Sequence, residues 1–135
     1  MSTSLLFNPL IQAAEESEAK TEILATPDAI WQSIDKQTQA LATEIQANKL
    51  DEVHHHAFAI RDLAAALPER SKDLPADKLT KVNAGNKFVA ILAERLDASG
   101  DAKDKAATEA NFEKLQKVLK SIQQNYSGVM PSKDS

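Results

Sequence analysis

The sequence predicts an all-α protein, an antiparallel up-down-up-down four-helix bundle preceded by an N-terminal leader. Three observations lead there. Four stretches repeat apolar residues with the period of a helix, and none alternates like a strand. Each stretch is bounded by residues that cap or stop helices. Only three glycines occur in 135 residues, while alanine, lysine, glutamate and glutamine abound, a composition that favours helix over sheet. A chain of this length buries one core without disulfide or metal staples. Residues 1–25 read as a leader, partly ordered or mobile, residues 26–126 as the bundle and residues 127–135 as a tail.

In the leader, Asn8-Pro9 has the form of a helix start, with asparagine as cap and proline in the first turn. Leu5-Leu6-Phe7 and Leu10-Ile11 outline an apolar core before the small residues Ala13-Ala14. No basic residue precedes them and Asn8-Pro9 interrupts them, so the stretch is either a degenerate signal peptide or a plain leader. Glu15, Glu16 and Glu18 suit a solvated segment.

The first helix should begin at Thr26-Pro27-Asp28. Threonine caps, proline presets the first turn and aspartate complements the positive end of the helix dipole. Ile30, Ile34, Leu41 and Ile45 follow at helical spacing, with Trp31 and Ala42 flanking and a polar gap at Gln37 and Thr38. Asn48, which tolerates the left-handed conformation, is placed to end it. The second helix should start with Asp51 as cap and Leu50 as the apolar residue that staples the turn before it. Steps of ~100° per residue put Val53, His56, Ala57, Ile60, Leu63, Ala64 and Leu67 on one face. Pro68 should stop the helix by disfavouring helical geometry at Leu67, and a short polar link, Glu69 to Leu74, should follow.

The third helix should open at Pro75-Ala76-Asp77 and bury Val82, Gly85, Val89, Leu92, Ala93 and Leu96. Phe88 sits at the edge of that face, and Ile91 falls off it, either exposed or marking a self-contact. A glycine inside a helix costs ~1 kcal/mol against alanine, so Gly85 on the buried face suggests a close approach by a neighbour. Asp97-Ala98-Ser99-Gly100 should end the helix, glycine taking the left-handed turn. The fourth should run from about Asp104 to Asn125 with Thr108, Phe112, Leu115, Leu119, Ile122 and Tyr126 as its stripe and Val118 beside it. Helices of ~20 residues, each ~30 Å long, match one another well enough to align side by side.

Composition excludes several functions. The net charge of −4 and the lack of a lysine or arginine cluster argue against nucleic acid. No apolar run reaches the ~20 residues of a membrane span. Without cysteine there is no disulfide, thiolate metal site, c-type haem attachment or cysteine nucleophile. No serine elbow or phosphate-cradling glycine loop is present. Arg61-Asp62, Glu94-Arg95 and Glu113-Lys114 with Lys117 read as solvated helix faces.

The chemistry that remains lies in three consecutive histidines, His54, His55 and His56. Neighbours on a helix point ~100° apart, so three in a row do not grip one ion from one intact helix. The wheel sends His56 into the bundle, His54 to the boundary and His55 to solvent. Glu52 stands four residues before His56, which makes half of a metal site for Cu, Ni or Zn; the rest would come from another helix, a second subunit or water. A packing role for His56 would use Asn83, Asn86 or Asn111 as partner. Glu52 and His55 form one E-x-x-H where a di-iron bundle needs two. No haem is expected, since Met1 and Met130 lie outside the helices, which leaves no Met/His pair within the bundle, and no CxxCH motif occurs.

The stretches KLDEVHHHAFAIRDLAAALP, LPADKLTKVNAGNKFVAILAERLDASGD and NFEKLQKVLKSI resemble small uncharacterised bacterial cell-envelope four-helix-bundle proteins, some of them associated with heavy-metal efflux systems. The resemblance covers about residues 26–126, with EVHHHAFAIRDL and KFVAILAERLD its most specific parts. It implies a periplasmic or envelope location and a non-enzymatic accessory role linked to metal, at His54, His55 and His56. The sequence thus predicts a metal-binding or metal-handling accessory bundle. The alternative is a structural or interaction module without a ligand, whose partner is a second copy or another protein.

Overall fold

Thr26 opens the first helix as its chemistry requires, the hydroxyl accepting from the Ala29 N–H at 3.2 Å. The computed structural model describes residues 26–126, and the expectations for the leader and the tail lie outside them. Four helices follow in order: α1 over Pro27–Gln46, α2 over Val53–Ala66, α3 over Ala76–Asp101 and α4 over Lys105–Gln123. No strand occurs among the described residues, and no helix there is long and apolar enough to cross a membrane. The fold class is the expected one, but the lengths are unequal, at 20, 14, 26 and 19 residues.

The stripes form one core. Ile30, Ile34, Leu41 and Ile45 of α1 meet Val53, Ala57, Ile60, Leu63 and Ala64 of α2 and Val82, Val89, Leu92, Ala93 and Leu96 of α3, and Leu115, Leu119 and Ile122 of α4 complete it. Packing runs in series, α1 on α2, α2 on α3 and α3 on α4. The fourth seam is nearly open. There α1 and α4 border a cleft of about 380 Å³ that includes Ile34, Asp35, Glu113 and Lys117, and at one end the Trp31 ring packs edge to face on Tyr126, in the turn just past α4, 5.8 Å apart.

Several helix ends differ from expectation, each for a physical reason. Asp51 does not cap α2. It lies exposed in a 3-10 turn, Leu50–Glu52, whose own hydrogen bond from Glu52 N–H to the Lys49 carbonyl replaces a side-chain cap. Leu50 is buried, as its apolar placement implied. Nor does Pro68 push Leu67 out of helical geometry, since Leu67 keeps φ −59° and ψ −45°. The chain passes directly into a 3-10 turn over Pro68–Arg70. What Pro68 does remove is an N–H. The Ala64 carbonyl would accept it and instead receives the Leu67 N–H at 3.0 Å and the Asn86 side-chain amide at 2.9 Å. The following link is not uniformly polar, because Ser71 and Leu74 are buried. Ser71 donates to the Leu67 carbonyl and lies 2.8 Å from the Tyr126 hydroxyl.

Left-handed backbone occurs at Asn48, φ 62°, as expected after α1, and at Lys103, φ 59°, after α3. Gly100 therefore does not end α3; it sits inside the helix and is buried. A Cβ there would stand 2.5 Å from the Leu50 carbonyl oxygen. Gly85 is the expected close-approach site, where an added Cβ would collide with the Ile122 side chain. Asp104 caps α4 by accepting from the Ala107 N–H at 3.1 Å. Thr108, wholly buried on the α4 stripe, keeps its hydroxyl 2.9 Å from Ser99 Oγ and 2.8 Å from the Asp104 carbonyl. A 3-10 turn, Gln124–Tyr126, completes the described chain.

The two glycines should respond differently to alanine. At Gly100 the obstacle is backbone, which moves only with the turn before α2, so Gly100→Ala should lose ~1–3 kcal/mol. At Gly85 the obstacle is the Ile122 side chain and not backbone, and the gain in helix propensity offsets part of the clash, so Gly85→Ala should lose less. Urea unfolding of both variants tests the order, and equal losses would mean that the Leu50 turn is not held against α3.

Burial raises the Tyr126 phenol above its ordinary value near 10, while the bond with Ser71 works in the opposite, smaller sense. The folded chain holds this proton more tightly than the unfolded chain. The contribution is therefore intact below pH ~10 and is lost as pH rises through the folded-state value. Tyr126→Phe should flatten that alkaline decline while losing ~0.5–1.5 kcal/mol at neutral pH with the hydrogen bond. Because the chain has one tyrosine, ultraviolet titration of the folded protein checks it directly, and ordinary phenol titration would refute the assignment.

Candidate functional site

Two features could carry function: the histidine triplet on α2 and a groove between α3 and α4. Around the triplet, His56 occupies a stripe position of α2 and Gln37 occupies the polar gap in the stripe of α1. The structure joins them. His56 Nδ1 lies 2.7 Å from Gln37 Oε1, and Nε2 lies 3.1 Å from Glu44 Oε2, seven residues further along α1. The side chains of His56 and Glu44 are only 26% and 20% exposed, so the contact is half-buried and poorly screened. Either orientation of the Gln37 amide satisfies the ring. With its oxygen toward Nδ1 both ring nitrogens donate; with its nitrogen there, only Nε2 does. Glu44 Oε1 is buried and makes no hydrogen bond among the described residues.

This corrects the partners expected for His56. Asn86 is engaged with the Ala64 carbonyl. Asn111 reaches, at 3.5 Å, the Arg95 carbonyl and Ser99 Oγ, and Asn83 is exposed. The imidazole turns to α1 instead of α3 or α4. The signal was present in the sequence as a polar gap on one stripe opposite a polar residue on another, but their registration across two helices was not.

His55 is exposed and His54 half-buried, as the wheel placed them. Their rings nevertheless lie together, centroids 4.0 Å apart and tilted by 36°. Diverging Cβ directions do not keep two flat side chains apart when both lean the same way. Glu52 is exposed in the 3-10 turn just before them. Among the described residues no group of three histidine, aspartate or glutamate side chains is placed to hold a metal ion.

The second feature was visible in the sequence only as two oddly placed residues. Phe88 is 58% exposed and Ile91 45% exposed, the large apolar side chains that α3 leaves in solvent. They stand three apart, hence on one side of the helix. Beside them Leu92 and Val118 complete an apolar hollow of about 370 Å³. Phe88 and Val118 also border a second hollow of about 440 Å³ over Gly85 and Ile122, so the two form one groove along the α3–α4 seam. The charged side chains lining it are Lys81, Arg95, Lys114 and Lys117, all basic, in a chain whose net charge is −4. Three of these basic residues had read as ordinary solvated faces, because nothing in a linear sequence shows two helices aiming like charges at one seam.

On the opposite flank, Arg61 and Asp62 pair at 2.9 Å with Arg61 over the Phe58 ring, an arrangement of the helix surface. The chain matches no family model, no curated protein and no solved structure closely enough to support an inference from kinship.

Proposed function

We propose that this protein works by binding and not by catalysis, as a helical interaction module whose docking surface is the α3–α4 groove. The observation that carries this reading is the exposed pair Phe88 and Ile91 over a groove with a wholly basic charged lining. Scattered apolar residues on a surface need no explanation, but an apolar patch rimmed by one sign of charge has the form of a recognition site. The groove suits an amphipathic helix with apolar residues on one side and carboxylates along its edges. Specificity then comes from the basic rim and affinity from the apolar floor.

A synthetic acidic amphipathic helix built of leucine, alanine and glutamate is a direct probe. It should bind the full chain saturably and more weakly as salt rises. Binding should vanish in Phe88→Ser/Ile91→Ser, whose fold should be unaffected because both residues are exposed. Absence of saturable binding at any attainable peptide concentration would sink the reading.

A metal-handling role is the second reading, favoured by the adjacent rings of His54 and His55 beside Glu52. The cell-envelope location implied by the resemblance belongs with it. On this reading His54 and His55 offer nitrogens to Cu(II), Ni(II) or Zn(II), Glu52 offers a carboxylate, and water or a second copy completes the set. His56 stays with Gln37 and Glu44. Calorimetric titration should then show tight stoichiometric binding that His54→Ala/His55→Ala abolishes. His56→Ala should leave affinity intact but lose ~1–3 kcal/mol of stability, since it strands Glu44. Weak binding unchanged by loss of His54 and His55 would refute a metal role.

A further inference from the structure

We propose that the partner of the α3–α4 groove is a helix whose carboxylates are gathered toward its C-terminal end, and that it docks parallel to α3 with that end over Arg95, Lys114 and Lys117. The inference rests on the groove being a docking surface and adds the direction and charge pattern of what docks there.

The register of the two helices places the charges. Gly85 of α3 meets Ile122 of α4, and Ser99 meets Thr108 at 2.9 Å. The two contacts are equally far apart on both helices, from 85 to 99 on α3 and from 108 to 122 on α4, so the pair runs antiparallel and in step. Heights along the groove then follow from the helical rise. Measured from Gly85 and Ile122, Phe88 stands at about 5 Å, Lys117 at about 8 Å, Ile91 at about 9 Å, Lys114 at about 12 Å and Arg95 at about 15 Å. Lys81 stands alone, about 6 Å the other way. The rim is therefore lopsided, with most of its positive charge at the Arg95 end. No carboxylate lines either hollow, and none of these four cations makes an ion pair among the described residues.

That asymmetry selects a direction. A helix carries roughly half a negative charge at its C-terminal end and half a positive charge at its N-terminal end. Docked parallel to α3, the partner sets its negative end, and the carboxylates there, against the cluster, where each pair gains a charge-assisted hydrogen bond. Docked the other way, its positive end faces the same cations. A second copy set symmetrically on this face would bring basic rim against basic rim, so the partner is an acidic chain of another kind. Lys81 to Arg95 spans about 21 Å, which a helix of about four turns covers with its apolar side on Phe88 and Ile91.

The test uses the isotope-labelled full chain and two synthetic helices of one composition, leucine, alanine and glutamate. One carries its glutamates in the C-terminal half and the other in the N-terminal half. Both are stapled on the solvent side, so that their free helicity is alike, and each bears a nitroxide at its C-terminal end. The C-terminally acidic helix should bind about tenfold more tightly. Its nitroxide should broaden the amide signals of Arg95 and Lys114 far more than those of Lys81 and Asn125. Lys114→Glu/Lys117→Glu, at exposed positions that leave the apolar floor intact, should abolish the preference. Equal affinities, or broadening centred on Lys81, would overturn the proposed direction and charge pattern while the docking surface stands. Failure of both helices to bind would overturn the proposal together with the groove reading beneath it.

Discussion

α2 is the short central helix on which the other contacts depend. Its fourteen residues are packed against both α1 and α3, so it must present two faces from four turns. The small residues Ala57 and Ala64, both fully buried, let its neighbours approach closely. Its end is settled by a defect that a neighbour repairs. Pro68 has no N–H for the Ala64 carbonyl, and Asn86 of α3 supplies a donor. That bond ties α2 to α3 in register, and the register brings Gly100 of α3 under the Leu50 turn. A side chain at that position would force the turn away and change how α2 begins.

This dependence explains which features a linear sequence reveals. Thr26, Asp104 and Asn48 act through bonds or backbone angles within a few residues of themselves, and they do in the fold what their chemistry promised. Gly100 and Asp51 carry equally strong local signals that were misleading, and Pro68 stops α2 where expected but not by the expected means. In all three, tertiary packing competes with the local preference. Gly100 is needed for its missing side chain and not for its conformational freedom. Leu67, fully buried, stays helical ahead of Pro68. Asp51 is displaced by a turn that satisfies its own backbone. Gly85, read from its place on a buried face, was legible because periodicity already reports tertiary contact.

The same distinction governs the candidate sites. Orientation on one helix was readable in part: His54 falls to the boundary and His55 to the solvent as the wheel required, while His56, expected inside, is only half-buried. Partnership across helices was not. His56 found Gln37 and Glu44 on α1, and the sequence contained both without their registration. The groove is the extreme case. Lys81 and Arg95 come from α3, Lys114 and Lys117 from α4, and only the packing of those helices makes them one rim.

The groove also inherits its shape from contacts that hold the bundle together. Ile122 fills the notch that Gly85 leaves, which sets how closely α4 lies against α3 and so how deep the hollow between them is. Four residues later Tyr126 secures the same end of α4 to Ser71 in the link and to Trp31 of α1. Because α1 and α4 pack less closely than the other neighbouring helices, this lock restrains that end of α4 from the α1 side. Loosening it would let the last turns of α4 shift and would change the hollow over Gly85 before the deeper core was disturbed. A ligand seated over that hollow would bridge α3 and α4 where Gly85 and Ile122 already hold them together, so its binding would stabilise the end of α4 that Tyr126 secures.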